Sequence, residues 1–187
     1  MNVKIARYSS TRYDRTNREG TDSAPARGAF DAETRRAGYA PNAETTVSQT
    51  VAPTDVAEHL GIDAGAPVVL RARRMSADGL TVQIANTYVP AEIAEAAGLN
   101  QIDTGRGGMI SRLAEAGHTQ VRISERTAFR PATDDEAEAL GVETGSLVVE
   151  IAHLGHTAEG RVVEATIHVL HPGRWVLLHE WDLNQQS

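Results

Sequence analysis

Between Val68 and Pro90 the apolar and polar positions fall into two strand-length runs, V-V-L-R-A-R-R-M-S and L-T-V-Q-I-A-N-T-Y-V, broken by Ala77-Asp78-Gly79. An Asp-Gly step between β-compatible runs predicts a hairpin. Side chains alternate along a strand, so Arg71 and Arg73 share one face and Arg74 points to the other. Other elements are read the same way. Ala29 to Gly38 and Pro53 to Gly61 predict short helices that end at a glycine. Glu44 to Val51 alternates like a strand, Pro90 to Ala97 is rich in helix formers, and Thr119 to Arg130 predicts a long strand. In Gly108 to Ala116 the spacing of Met109, Ile110 and Leu113 marks one face of a helix.

The order then recurs. Ala57-Glu58-His59-Leu60-Gly61-Ile62-Asp63-Ala64-Gly65 matches Ala137-Glu138-Ala139-Leu140-Gly141-Val142-Glu143-Thr144-Gly145. Each copy runs into a Val-Val strand (Val68-Val69, Val148-Val149) and through a glycine turn (Gly79, Gly160) into a second strand. Two copies are too few for a solenoid. Two hairpins with short helices predict an α+β domain, an antiparallel sheet with its helices on one face, and a cleft between the hairpins as the natural ligand site.

Composition narrows the function. The chain of 187 residues suits one domain with an arm. A net charge of -7 argues against a nucleic-acid-binding face, and the absence of cysteine excludes disulfides and thiolate zinc sites. No apolar run approaches a membrane span, and residues 1–27 lack a signal-peptide pattern, so a cytoplasmic location is expected. That same segment places Arg7, Arg12, Arg15, Arg18 and Arg27 among polar residues and reads as a solvated linker. The expected division is therefore a polar arm over 1–27 and a folded domain over 28–187.

Several motifs, taken in order, carry a resemblance. They are Gly28-Ala29-Phe30 with Gly38 and Pro41; Leu60-Gly61 with Gly65; Arg73, then Ala77-Asp78-Gly79, then Tyr88-Val89-Pro90; Ala137-Glu138, Leu140-Gly141 and Gly145; and Gly160-Arg161-Val162-Val163-Glu164. Their order resembles the UTRA domain, the effector-binding domain of the HutC branch of GntR-type bacterial transcription regulators. The resemblance spans Gly28 to Trp181. It implies a chorismate-lyase-like antiparallel sheet of about six strands with flanking helices. It also implies a small-molecule effector, a homodimer and an attached winged-helix domain that binds DNA. That DNA-binding domain is absent from this sequence, which starts in what resembles the linker, as an excised effector domain would. Alone, it is expected not to bind DNA specifically.

The resemblance also places an effector site. Arg73 stands at the first of two phosphate-binding arginine positions and Met75 at the second. Gly108 and Ile110 replace a serine and a tyrosine at the start of a helix, Ala29 replaces a serine before Phe30, Ala85 a sugar-binding glutamate and Leu170 a tyrosine. Glu164 is retained. A phosphosugar would leave groups unpaired in so altered a pocket. The expected ligand is therefore more apolar than a sugar phosphate, with an anionic group on Arg73 and a donor on Glu164. The backbone amides of Gly107, Gly108 and Met109 open a helix and offer a further anion cradle.

Plainer roles are weighed beside these. Met75 and Met109 also suit core packing. His153 and His156, like His168 and His171, are three apart, which on a strand sends the pair to opposite faces and disfavours a metal site. Asp134-Asp135-Glu136 after Thr133 reads as the acidic first turn of a capped helix. Trp175 and Trp181 read as core or dimer contacts. The leading function is a metabolite sensor, not an enzyme, without cofactor or metal. The alternatives are a chorismate-lyase-like enzyme acting on an aromatic carboxylate, and a dimerisation module that binds nothing.

Overall fold

The computed structural model describes residues 3–22 and 25–181, and its elements follow the periodicities of the sequence closely. In chain order they are β1 (Ile5–Tyr8), α1 (Arg15–Glu19), α2 (Ala29–Arg36), β2 (Pro41–Val51), α3 (Thr54–Leu60), β3 (Pro67–Ala77), β4 (Leu80–Pro90), α4 (Ala91–Ala96), α5 (Gly108–Glu115), β5 (Arg122–Pro131), α6 (Asp134–Leu140), β6 (Leu147–His156), β7 (Val162–Leu170) and β8 (Trp175–Leu178). Six strands form one antiparallel sheet in the order β2-β3-β4-β7-β6-β5. The hairpin turn is at Asp78 and Gly79, whose φ values of 49° and 79° are the left-handed pair that a type I′ turn requires. Asp78 also accepts a 2.8 Å hydrogen bond from the Ala40 amide, which ties the turn to the start of β2.

The two copies of the repeat are α3-β3-β4 and α6-β6-β7. They meet in mid-sheet, where β4 pairs with β7 and sets Ala85 opposite His168 and Thr87 opposite Thr166. Helix α6 starts with a reciprocal capping box: Thr133 Oγ1 accepts from the Glu136 amide and the Glu136 carboxylate accepts from the Thr133 amide. The acidic run is therefore a cap, as its sequence predicts.

The helices cover both faces of the sheet, not one. Helix α3 packs over Val68 and Ala165, and α6 over Val148 and Val169. On the opposite face α4 and α5 bring Ile93 and Leu113 onto Val69 and Val89. The Val-Val doublets are the reason. Consecutive apolar residues on a strand give it an apolar position on each side, and both sides must then be covered. Val68, Val69, Val148 and Val149 are all buried.

The segment before Gly28 is not a solvated linker. Strand β1 pairs in parallel with β8, setting Ile5 opposite Trp175, and Val3 and Ile5 are fully buried. Arg7, Arg12 and Arg18 are buried as well, because acceptors far along the chain neutralise or cap them: Glu125 for Arg7, Glu33 for Arg12, and the Gly107 carbonyl and Ser111 hydroxyl for Arg18. Composition alone does not reveal such partners. Of the two tryptophans, Trp175 is in the core, donating from Nε1 to the Val82 carbonyl at 2.9 Å, whereas Trp181 follows the end of β8 and is exposed.

Replacing Ile5 by alanine separates a docked segment from a solvated one. As a docked core residue it should lose about 2–5 kcal/mol in denaturant unfolding. An exposed linker position would change by less than about 0.5 kcal/mol.

Candidate ligand-binding site

A cavity of about 550 Å³ lies over the face of the sheet that carries Arg73. Strand alternation supplies its floor: Arg73 and Met75 from β3, Gln83 from β4, His153 from β6, and Glu164, Thr166 and His168 from β7. Phe30 of α2 and Met109 and Ile110 of α5 form one wall. Arg12, Tyr13 and Arg18 form another, contributed by the segment before Gly28.

The expected site residues divide. Phe30, Arg73, Met75, Gly107, Gly108, Met109, Ile110 and Glu164 all line the cavity. Ala85 and Leu170 do not; both are buried beneath it in the core cluster with Phe30 and Met75. Two of the three amides of the cradle at the start of α5 are already occupied, since the Gly107 N–H donates to the Ala26 carbonyl at 3.0 Å and the Gly108 N–H to the Gly105 carbonyl at 3.2 Å. Close packing explains those glycines instead. A Cβ on Gly107 would lie 2.2 Å from Ser111 Oγ, and one on Gly108 would lie 3.0 Å from the Arg27 carbonyl oxygen.

The three arginines of β3 take three roles. Arg71 is buried and donates to the carbonyls of Leu99 (2.6 Å) and Ile102 (2.8 Å), holding the loop that follows α4. Arg74 lies on the opposite face of the sheet, beside Asn86 and Ile167. Arg73 faces the cavity, donates to Thr87 Oγ1 at 2.7 Å, and keeps its Nε buried without a partner.

From Arg73 a line of hydrogen bonds crosses the sheet, and its polarity follows from the chemistry of its ends. Arginine only donates, so Thr87 accepts from Arg73 and passes its own proton to Thr166 at 2.7 Å. Thr166 then donates to Glu164 at 2.7 Å. Glu164 also accepts from His153 Nε2 at 2.8 Å, and Glu125 accepts from His153 Nδ1 at 3.2 Å. Arg7 and Tyr13 close the far end by donating to Glu125. An imidazole between two carboxylates must donate from both nitrogens, so His153 is an imidazolium. Burial alone would depress its pKa; the Tyr13 oxygen, Glu164 and Glu125 override this and hold it well above 6.5. Burial would likewise raise Glu125, but His153 and the Arg7 guanidinium bring it down to about 2. His168, at a ring-centroid distance of 6.1 Å from His153, shows the reverse. Burial, then Arg7 and Arg12, hold it well below 6.5 and neutral.

The structure thus brings in polar residues that linear spacing missed: Arg12, Tyr13 and Arg18 from the segment before Gly28, and Gln83, His153, Thr166 and His168 from the sheet. The histidines associate across strands, with His168 opposite Ile151 and His153 opposite Thr166, not three apart along one strand. A polar residue inside strands otherwise apolar on both faces was the available signal. The cavity is accordingly more polar than the substitutions at Met75, Ala85, Gly108, Ile110 and Leu170 imply.

The imidazolium makes stability depend on pH in a defined direction. A raised folded pKa means that the contribution of His153 is complete below its unfolded value of 6.5 and is lost as pH rises through the folded value. The stability of the wild type minus that of His153→Asn should therefore be constant below about pH 6.5 and fall as pH rises above it in denaturant titrations. A flat difference would mean that His153 is not charged.

Comparison with known proteins gives the arrangement its family. Residues 36–174 match the UTRA domain. An uncharacterized HTH-type transcriptional regulator of Streptomyces coelicolor is 32% identical over 174 residues, which cover 88% of this chain and 62% of the relative. The chain thus spans about three fifths of that relative's length. Three solved structures share the fold. PhnF from Mycobacterium smegmatis has a TM-score of 0.74 at 18% identity, covering 97% of this chain and 73% of that one. The isolated effector domain of PhnF has a TM-score of 0.69 at 17% identity, covering 80% and 92%. The C-terminal domain of YurK from Bacillus subtilis has a TM-score of 0.65 at 18% identity, covering 72% and 92%. The chain belongs to the UTRA family.

Proposed function

We propose that the cavity over Arg73 is the effector site, and that its ligand is a small organic anion bearing a hydrogen-bond donor, not a sugar phosphate. The observation that carries this reading is a pair of polar atoms buried without partners among the cavity-lining residues, Arg73 Nε and Gln83 Oε1. One needs an acceptor and the other a donor, and a buried polar group left unpaired is costly. A phosphate dianion calls for several convergent N–H donors. The Gly107 and Gly108 amides are spent on carbonyls, and Met75 offers none.

Binding, not turnover, suits the buried histidines. His153 donates from both ring nitrogens and cannot accept a proton, so it is not a general base. In the proposed regulator, ligand occupancy biases the arrangement of a cytoplasmic homodimer of the HutC type and thereby alters operator binding by a winged-helix domain. The relative's HTH-type description supports that context. Such a switch requires the ligand to bind one arrangement better than the other.

Thermal unfolding against amino acids, aromatic acids, lactones, acyl compounds and sugar phosphates tests the reading. An effector at one hundred times its dissociation constant should add about 2.7 kcal/mol and raise the midpoint by several degrees. Arg73→Ala should abolish that rise. A sugar-phosphate hit would overturn the ligand class, and no hit across the panel would favour a dimerisation module that binds nothing.

A further inference from the structure

The segment before Gly28 contributes more than a wall. Arg12 is 5% exposed, is held by Glu33 through Nη1, and has its Nε buried without a partner. His168, 7% exposed on β7, has its Nδ1 buried without a partner. Both residues line the cavity. The cations nearest His168 are Arg7, Arg12, His153 and Arg73. The carboxylates that accompany them are Glu125 on Arg7, Glu33 on Arg12 and Glu164 on His153. Around His168 four positive groups thus meet three carboxylates, and the buried, cavity-lining Arg18 and Arg71 are held by carbonyls and a hydroxyl alone, so positive charge is in excess. A buried charge without a counter-ion is strongly disfavoured.

We propose that Arg12 and His168 form a carboxylate-binding subsite of this cavity, so that residues from the segment before Gly28 and from the sheet hold the ligand together. The proposal rests on reading the cavity as the ligand site. A carboxylate fits this chemistry: it brings negative charge to a wall with positive charge in excess, and its two oxygens can accept from Arg12 Nε–H and from His168 Nδ1 in the tautomer that carries its proton there. Arg73 borders the subsite and adds a second positive charge beside that of Arg12. The family match begins only at residue 36, so Arg12 lies outside it. The match to the PhnF structure covers 97% of this chain, whereas that to the effector domain of PhnF covers 80%. Arg12 is thus a ligand-contacting residue in a stretch outside the residues matched to the family.

Acetate serves as the probe, added to the 187-residue chain. Thermal unfolding is followed against chloride at equal ionic strength. Acetate should raise the midpoint saturably, and its apparent affinity should fall at least about tenfold, the effect of losing one charge-assisted hydrogen bond, in His168→Asn and in Arg12→Met combined with Glu33→Gln. The double substitution removes both charges together, so neither is stranded. Nuclear magnetic resonance of the His168 ring in the wild type provides a second measurement that needs no variant. Saturating acetate should raise its pKa by about one unit or more, since a nearby anion favours the imidazolium. No acetate effect beyond chloride, an unmoved His168 ring, or affinity unchanged in both variants would each overturn the subsite. An effector without a carboxylate whose binding Arg73→Ala abolishes would overturn it too, while leaving the effector reading of the cavity intact.

Discussion

The imidazolium of His153, bonded between Glu125 and Glu164, is the interaction on which the rest of the site depends. Glu125 on the outer strand β5 receives Arg7 and Tyr13 and so anchors the first described residues of the chain. Glu164 on the central strand β7 orients Thr166, through it Thr87, and through that Arg73. A buried carboxylate pair without the cation between them would repel, and each would then accept a proton or open the wall to water. One protonated ring therefore lets two acidic side chains stay ionised inside the domain, and both ends of the site inherit their geometry from it.

The architecture that makes room for this cluster comes from the internal repeat. Each unit gives a helix, a glycine in the left-handed conformation (Gly61, Gly141) and a hairpin, and the units join through β4 and β7. Because the pairing is antiparallel and symmetric, the same face of both hairpins collects the inward side chains that form the cavity floor. The other face is closed by α3 and α6 over the first valine of each doublet. Parity of residue positions thus sends one set of side chains to the face packed by α3 and α6, and the other to the face that the cavity shares with α4 and α5.

That division was legible in the sequence where the signals were local. Strand parity put Arg73 on the cavity face and Arg74 on the reverse, and Thr133 with Glu136 marked a helix start. What was not legible is non-local. Arg7 and Arg12 read as solvated because their carboxylates, Glu125 and Glu33, lie on other elements. His153 and His168 meet only through the pairing of β6 with β7, and no spacing along one strand records that register. The glycines opening α5 are suited in isolation to an anion; only the folded chain shows Ser111 and Arg27 standing where their side chains would have been.

The two-stranded ribbon of β1 and β8 has a consequence in time. Ile5 is made 170 residues before its partner Trp175. Every other strand pair joins segments nearer each other along the chain, and the loop closed by this one is the longest. Val3 and Ile5 must therefore wait, uncovered, until β8 has been synthesised. The buried arginines beside them gain their partners in stages, with Glu33 arriving early and Glu125 late. Closing the ribbon joins the most widely separated of the paired strands, so the wall of the cavity that carries Arg12 depends on the longest loop closure among them.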